Sequence, residues 1–275
     1  MPLKIDDKVN VILKKQSIEN YLDKLVSHCQ TNYAYLREAV GSTALKNILR
    51  LSLNHAKQNG FTQQDTTRFY IDLMILLGAK FRDDPQYSWI KKIFDDYHDF
   101  TELTIAEVLY FDVIPFLEKS YGEGLCNKGE IFKKLDDYLK RQPLKHSTSI
   151  APADINKDNI KQEVVNSLNE IVQAKFEATK EDDFEKLLTF GLDRAQKHLH
   201  MNHPEEITTS IVLMFILGSY FDEDPFVIGT EKNLIKEFEG NNDSPRFNTI
   251  YERFCFQFNW LPLLIKINTN EMSQA

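Results

Sequence analysis

The chain is poor in the residues that break and turn a backbone: ten glycines and nine prolines are spread over 275 residues. An all-β fold needs a turn signal about every 8–12 residues, so these counts exclude it and favour long helices. Cysteine is scarcer still. Cys29, Cys126 and Cys255 are odd in number, far apart and without a C-x-x-C pair, which excludes a disulfide framework and reads as three buried thiols in a reducing compartment. Long apolar runs are lacking too. The longest, Ile211 to Leu217, falls far short of the roughly 20 residues a membrane-spanning helix requires. The opening Met1-Pro2-Leu3-Lys4-Ile5-Asp6-Asp7-Lys8 carries acids where a secretion signal has its apolar stretch. A cytoplasmic protein that neither crosses nor binds a membrane is expected.

A basic excess is equally absent: 41 acidic residues outweigh 33 basic ones, for a formal charge of −8. The bases are interspersed with acids, as in Lys91-Lys92 before Asp95-Asp96, whereas a phosphate-binding surface needs clustered Lys and Arg to release counterions. Nucleic acid is therefore not expected as a partner, and a basic protein fits better, although an acidic excess also simply keeps a protein soluble.

Catalytic signatures are missing as well. There is no G-x-S-x-G, P-loop, G-x-G-x-x-G or kinase-like series, and Tyr121-Gly122-Glu123-Gly124-Leu125 follows a helix, so it reads as a C-cap and turn, not a phosphate cradle. His198, His200 and His203 are dense but lack metal spacing. His198 and His200 point some 200° apart on a helix, and His200 and His203 could meet only across a turn. Cys126 with His98 is a conceivable nucleophile and base, but three Cys and seven His generate such pairs by chance. No catalytic residue, cofactor or metal is assigned, and an enzyme with a Cys/His or acidic site stands as the alternative from another class.

What the sequence has is aromatic bulk and an internal repeat. Nineteen Phe, eleven Tyr and two Trp are ample for a large core. The segment Ile71–Pro85 aligns without gaps, at an offset of 140, on Ile211–Pro225, with eight of fifteen positions identical, where about one is expected by chance. Upstream the offset falls by one, pairing Leu45, Ile48, Leu49, Leu53, Asn54 and Ala56 with Phe184, Leu187, Leu188, Leu192, Asp193 and Ala195. Each copy reads as a helix, a short turn, a second and very apolar helix, and an Asp-Pro stop. The apolar helices must be central, with Leu73, Met74, Leu77, Phe81, Leu213, Met214, Leu217 and Phe221 in the core. Gly78 and Gly218 fall inside these helices on this reading, and their recurrence, at a cost of about 1 kcal/mol each relative to Ala, implies close approach of a neighbouring backbone. Asp84 and Asp224 precede proline, which biases them out of the helix.

The expected fold is therefore all-α: two pseudo-symmetric helical repeat halves forming a helical bundle or a short solenoid-like array, residues 1–143 and 157–275, joined by a polar linker at 144–156. Capping and period place helices near 17–38, 43–59, 64–80, 86–97, 104–121, 128–141, 157–178, 181–199, 204–220, 228–238 and 246–258. Pro115 should kink or split the fifth.

The run Leu53-Asn54-His55-Ala56, followed by Phe69-Tyr70-Ile71-Asp72-Leu73-Met74-Ile75-Leu76-Leu77-Gly78-Ala79-Lys80-Phe81-Arg82-Asp83-Asp84-Pro85 and then Trp89, resembles small all-helical accessory proteins encoded beside bacterial type VI secretion effectors. About 40 residues of each half take part, and the second copy departs at Gly229, where the first has Trp89. The resemblance implies a toxin immunity protein first and an effector chaperone or adaptor second, with a cognate effector toxin or another protein as partner. Asp83, Asp84, Asp222, Glu223 and Asp224 recur at equivalent places in both halves, and as exposed acids they would present two related patches to a basic partner.

Overall fold

In the computed structural model the described residues are 7–33, 36, 41–141, 156–199, 201 and 203–228, and they are helical with no strand among them. The helices are α1 (Asp7–Asn32), α2 (Ser42–Gln58), α3 (Gln64–Leu77), α4 (Ser88–Asp96), α5 (Glu102–Tyr121), α6 (Lys128–Arg141), α7 (Lys157–Ala178), α8 (Glu181–Lys197), α9 (Pro204–Leu217) and the single turn α10 (Pro225–Ile228). Short 3-10 turns at Phe81–Asp83 and Pro85–Tyr87 link α3 to α4. Along one side α1 packs on α2, α2 on α3, and α3 and α4 on α5. On the other, α7 and α8 both pack on α9, and α6 packs on α7.

The two sides are not separate beads. Helix α5 lies against α7, the Pro85–Tyr87 turn lies against α8, and one continuous apolar core takes in residues of both sequence halves. The apolar helices sit where their all-round hydrophobicity demands. Every residue of α9 from Ile207 to Ile216 is buried, and α3 buries Tyr70, Ile71, Leu73, Met74 and Leu77. Of the expected core residues Leu217, the last residue of α9, is the one that is only half-buried. No helix among the described residues is long and apolar enough to cross a membrane.

Several boundaries differ from the sequence reading. Helix α1 starts ten residues before Ser17, at Asp7, so Val9–Leu13 are helical. Helices α3 and α9 stop at Leu77 and Leu217, placing Gly78 and Gly218 just past the helix ends instead of inside. Pro115 leaves α5 unbroken: it costs the helix one N–H, and it does so at an exposed position. Cys126 is exposed, whereas Cys29 is buried, with its thiol pushed up to about 12 by desolvation. The helices expected at 228–238 and 246–258, Cys255, His200 and residues 144–155 of the linker lie outside the described residues.

Candidate functional site

The repeat motif converges on itself. Gly78 ends α3 with φ 104° and ψ 150°, and Gly218 ends α9 with φ 102° and ψ 145°, backbone angles open to glycine and scarcely to any other residue. The two glycines touch. A Cβ on Gly78 would lie 3.0 Å from the Leu217 carbonyl oxygen and 3.2 Å from Gly218 Cα; one on Gly218 would lie 2.9 Å from the Leu77 oxygen and 3.1 Å from Gly78 Cα. The close backbone approach expected from the recurring glycines is present, and the backbone approached is the other copy of the motif.

Just beyond each glycine the chain turns, and each Asp-Pro reaches across. Ser219 N–H donates to Asp84 Oδ2 at 2.7 Å, and Ala79 N–H donates to Asp224 Oδ2, also at 2.7 Å. Residues 79 and 219 are 140 apart, as are 84 and 224, so the two bonds are reciprocal. Each aspartate also caps its own following turn, Asp84 Oδ1 accepting from Gln86 N–H at 3.0 Å and Asp224 Oδ1 from Phe226 N–H at 2.8 Å.

The surroundings of the two carboxylates then diverge. Asp84 gains the Ser219 hydroxyl at 2.6 Å and the Gln86 side-chain amide at 3.1 Å, so four donors meet its two oxygens. Where Ser219 and Gln86 stand around Asp84, the equivalent places around Asp224 hold Ala79 and Phe226. Lys175, 1% exposed, enters the same region from α7: its ammonium donates to the Phe215 carbonyl and lies 4.7 Å from the Phe215 ring centroid and 5.3 Å from that of Tyr87. Burial lowers the Lys175 pKa to about 7, against the pull of Asp84. Desolvation likewise raises Asp84, and raises Asp224 to about 6 against the hydrogen bonds that favour its ionised form. An amine near neutrality is a competent nucleophile in general, but this one is sealed from any substrate-sized group and spent on a backbone carbonyl.

The five acids expected on the surface therefore separate. Asp84 and Asp224, each 3% exposed, are withdrawn from any partner because desolvated carboxylates must be satisfied internally, and the opposite turn's N–H groups do this. Asp222 is half-buried and accepts from Arg194 at 2.8 Å. Glu223 is exposed but pairs with both Lys80 and Arg194, which hold its carboxyl below the usual range. Asp83 is exposed and has no ion pair among the described residues. They do not form two equivalent patches.

The other candidates are not drawn together. His198 is exposed at the end of α8 and His203 precedes α9; among the described residues no group of three or more His, Cys, Asp and Glu is placed to hold a metal. Cys126 Sγ lies 3.5 Å from Asn127 Oδ1, while His98 Nδ1 lies 2.8 Å from the Asp95 carbonyl. A cleft of about 310 Å³ between α6, α7 and the start of α9 is lined by Tyr138, Asn159, Glu163, Ser167, Glu205 and Thr208, away from the interlocked turns.

A different feature went unread in the sequence, the outer side of α5. Phe100, Leu103, Tyr110 and Phe111 are 58%, 53%, 52% and 73% exposed, and Phe69 of α3 lies beside Tyr110 with ring centroids 6.2 Å apart. The helix sequence carries large apolar residues among the charged ones on its outward side, and only Ile105, Ala106, Leu109, Val113, Leu117, Ser120 and Tyr121 are buried. Lys175 also had a sequence signal. It continues the Ile160, Val164, Leu168, Ile171 stripe of α7 at helical spacing, which puts its amine on the buried face.

The fold and these contacts define an all-α protein whose repeated motif interlocks with its own second copy. No protein-family model, curated protein or solved structure matches the chain.

Proposed function

We propose that this chain is a cytoplasmic, non-enzymatic binding protein that neutralises a cognate effector toxin by covering part of its surface. The observation that carries the reading is the cluster Phe100, Leu103, Tyr110 and Phe111, left exposed on an otherwise well-packed acidic scaffold. Large apolar side chains left exposed on a soluble protein mark interaction sites where they gather, as Tyr110 and Phe111 do with ring centroids 5.9 Å apart. The acidic balance suits a partner whose working cleft is basic, as that of an enzyme attacking nucleic acid is. The sequence resemblance supplies the biological setting, immunity to a secreted effector.

Effector chaperone is the second reading, favoured by one further observation. The first turns of α1 expose Val9, Val11, Ile12, Leu13 and Ile18, a surface able to hold an unfolded apolar segment. Co-expression with the effector encoded beside this chain separates the two. An immunity protein restores growth to cells making the active toxin in the cytoplasm and forms a complex whose association slows as salt rises. Cells that die as readily with the chain as without it would reject immunity and leave the chaperone reading.

A further inference from the structure

The outward face of α5 has a composition that specifies what it can bind. At 100° per residue, Leu103, Glu107, Tyr110, Phe111, Ile114 and Glu118 fall within an arc of about 100° that adjoins the buried stripe of Ile105, Ala106, Leu109, Val113 and Leu117. The arc is an apolar ridge interrupted by acids alone. Of the five charged residues on α5, four are acidic (Glu102, Glu107, Asp112, Glu118) and one, Lys119, is basic. Glu102 is already engaged, its carboxylate accepting from Thr62 N–H at 2.6 Å, Thr62 Oγ1 at 2.9 Å and Thr66 Oγ1 at 2.7 Å, where it caps the start of α3. Glu107, Asp112 and Glu118 are exposed and make no ion pair among the described residues.

Pro115 adds a second feature of the same sign. It sits four residues after Phe111 and has no N–H to give the Phe111 carbonyl, so the centre of the ridge carries a backbone acceptor without its helical donor. Apolar anchors, the two uncompensated carboxylates of Glu107 and Glu118 and a carbonyl without its helical donor all ask for a partner rich in donors and positive charge.

We propose that the outer face of α5, centred on Tyr110 and Phe111, is the docking site for a basic amphipathic helix of another protein. The inference rests on the binding reading above and names the surface and the partner chemistry. A second copy of this chain is a poor occupant: it would bring the same face, with Glu107 and Glu118 and no base among the residues of the arc, and so would offer the two carboxylates no counter-charge. A cationic helix meets the same positions with attraction.

Photocrosslinking of the full chain tests this. Phe111→p-benzoylphenylalanine is irradiated alone, with an amphipathic helical peptide of leucine and lysine, and with a leucine and glutamate peptide of the same apolar pattern; Leu51→p-benzoylphenylalanine, at an exposed apolar position on α2, is the reference. The expected result is an adduct with the lysine peptide at position 111 only, reduced about tenfold by added salt or by Glu107→Lys with Glu118→Lys. A covalent dimer, a crosslink within the chain, equal capture of the glutamate peptide, equal labelling at position 51, or no adduct would each overturn the proposal. Protection against the effector then separates this inference from the reading beneath it. If Phe111→Ser and the double charge reversal protect as well as the natural chain, the α5 surface is wrong and immunity stands. If the natural chain fails to protect while the crosslink forms as expected, the surface stands and immunity falls.

Discussion

The two copies of the motif use the same residues for the same contact and different residues for the groups that surround each carboxylate. Leu-Gly, then Asp-Pro six residues on, recur at 77–78 and 84–85 and at 217–218 and 224–225, and these are the residues that bring the two turns together and exchange the carboxylate bonds. The neighbours that differ, Ala79 against Ser219 and Gln86 against Phe226, give Asp84 four donors where Asp224 has backbone N–H groups only. Of the residues identical in both copies, Ile71, Leu73, Met74 and Phe81 with their counterparts fill the core, while the Leu-Gly and Asp-Pro pairs are fixed by mutual backbone approach, where geometry leaves no freedom. Residues free to differ determine how much charge each turn tolerates.

The largest effect should come from the point where the copies meet. Gly78→Ala and Gly218→Ala each combine a forbidden backbone conformation with a Cβ pressed on backbone atoms that cannot move aside, a cost of about 4 kcal/mol in denaturant unfolding. Equal losses in both would support a reciprocal interlock; a loss below about 1 kcal/mol in either would show that the turn relaxes. Next, Leu77→Ala against Leu217→Ala reads the asymmetry of the flanking cores. Leu77 is buried and should cost about 3 kcal/mol, whereas half-buried Leu217 should cost about half that. Equal costs would remove the distinction.

The helical fold and most helix spans are legible in the sequence because they depend on period and capping, both local properties. The central position of α9 follows from its uniform apolarity, and the importance of Gly78 and Gly218 from their recurrence. What is not legible is the direction in which the aspartates point. Helix-stopping Asp at Asp84 and Asp224 is equally compatible with a solvated acid and with a buried acceptor, since both precede Pro85 and Pro225. The choice rests on a backbone about 140 residues away. For the same reason Glu102, which caps α3 from α5, and the exposure of Phe111 on the same helix depend on partners that no local window contains.

The subtlest test of the comparison is the pH dependence of the two carboxylates. Asp224 has a folded pKa of about 6 against an ordinary value of 3.8. Between those values the folded chain holds a proton that the unfolded chain has released, so the contribution of Asp224 to stability is greatest at about pH 4 and falls as pH rises to about 6. Asp224→Asn removes that dependence while exacting a different loss. Both carboxylate oxygens accept N–H groups, from Ala79 and from Phe226, and an amide supplies one acceptor and a donor facing a donor, a cost of about 1–2 kcal/mol. At Asp84 the same change meets four donors, two from backbone N–H groups and two from the side chains of Ser219 and Gln86. Asp84→Asn should therefore be the more damaging substitution above pH 7, with the gap narrowing as the carboxylate is protonated. Urea titrations of the natural chain and both variants from pH 4 to pH 8 measure this. Should the Asp224→Asn difference from the natural chain stay constant across that range, the carboxylate does not titrate in the folded state, and the contrast between the two turns would be one of hydrogen bonding alone.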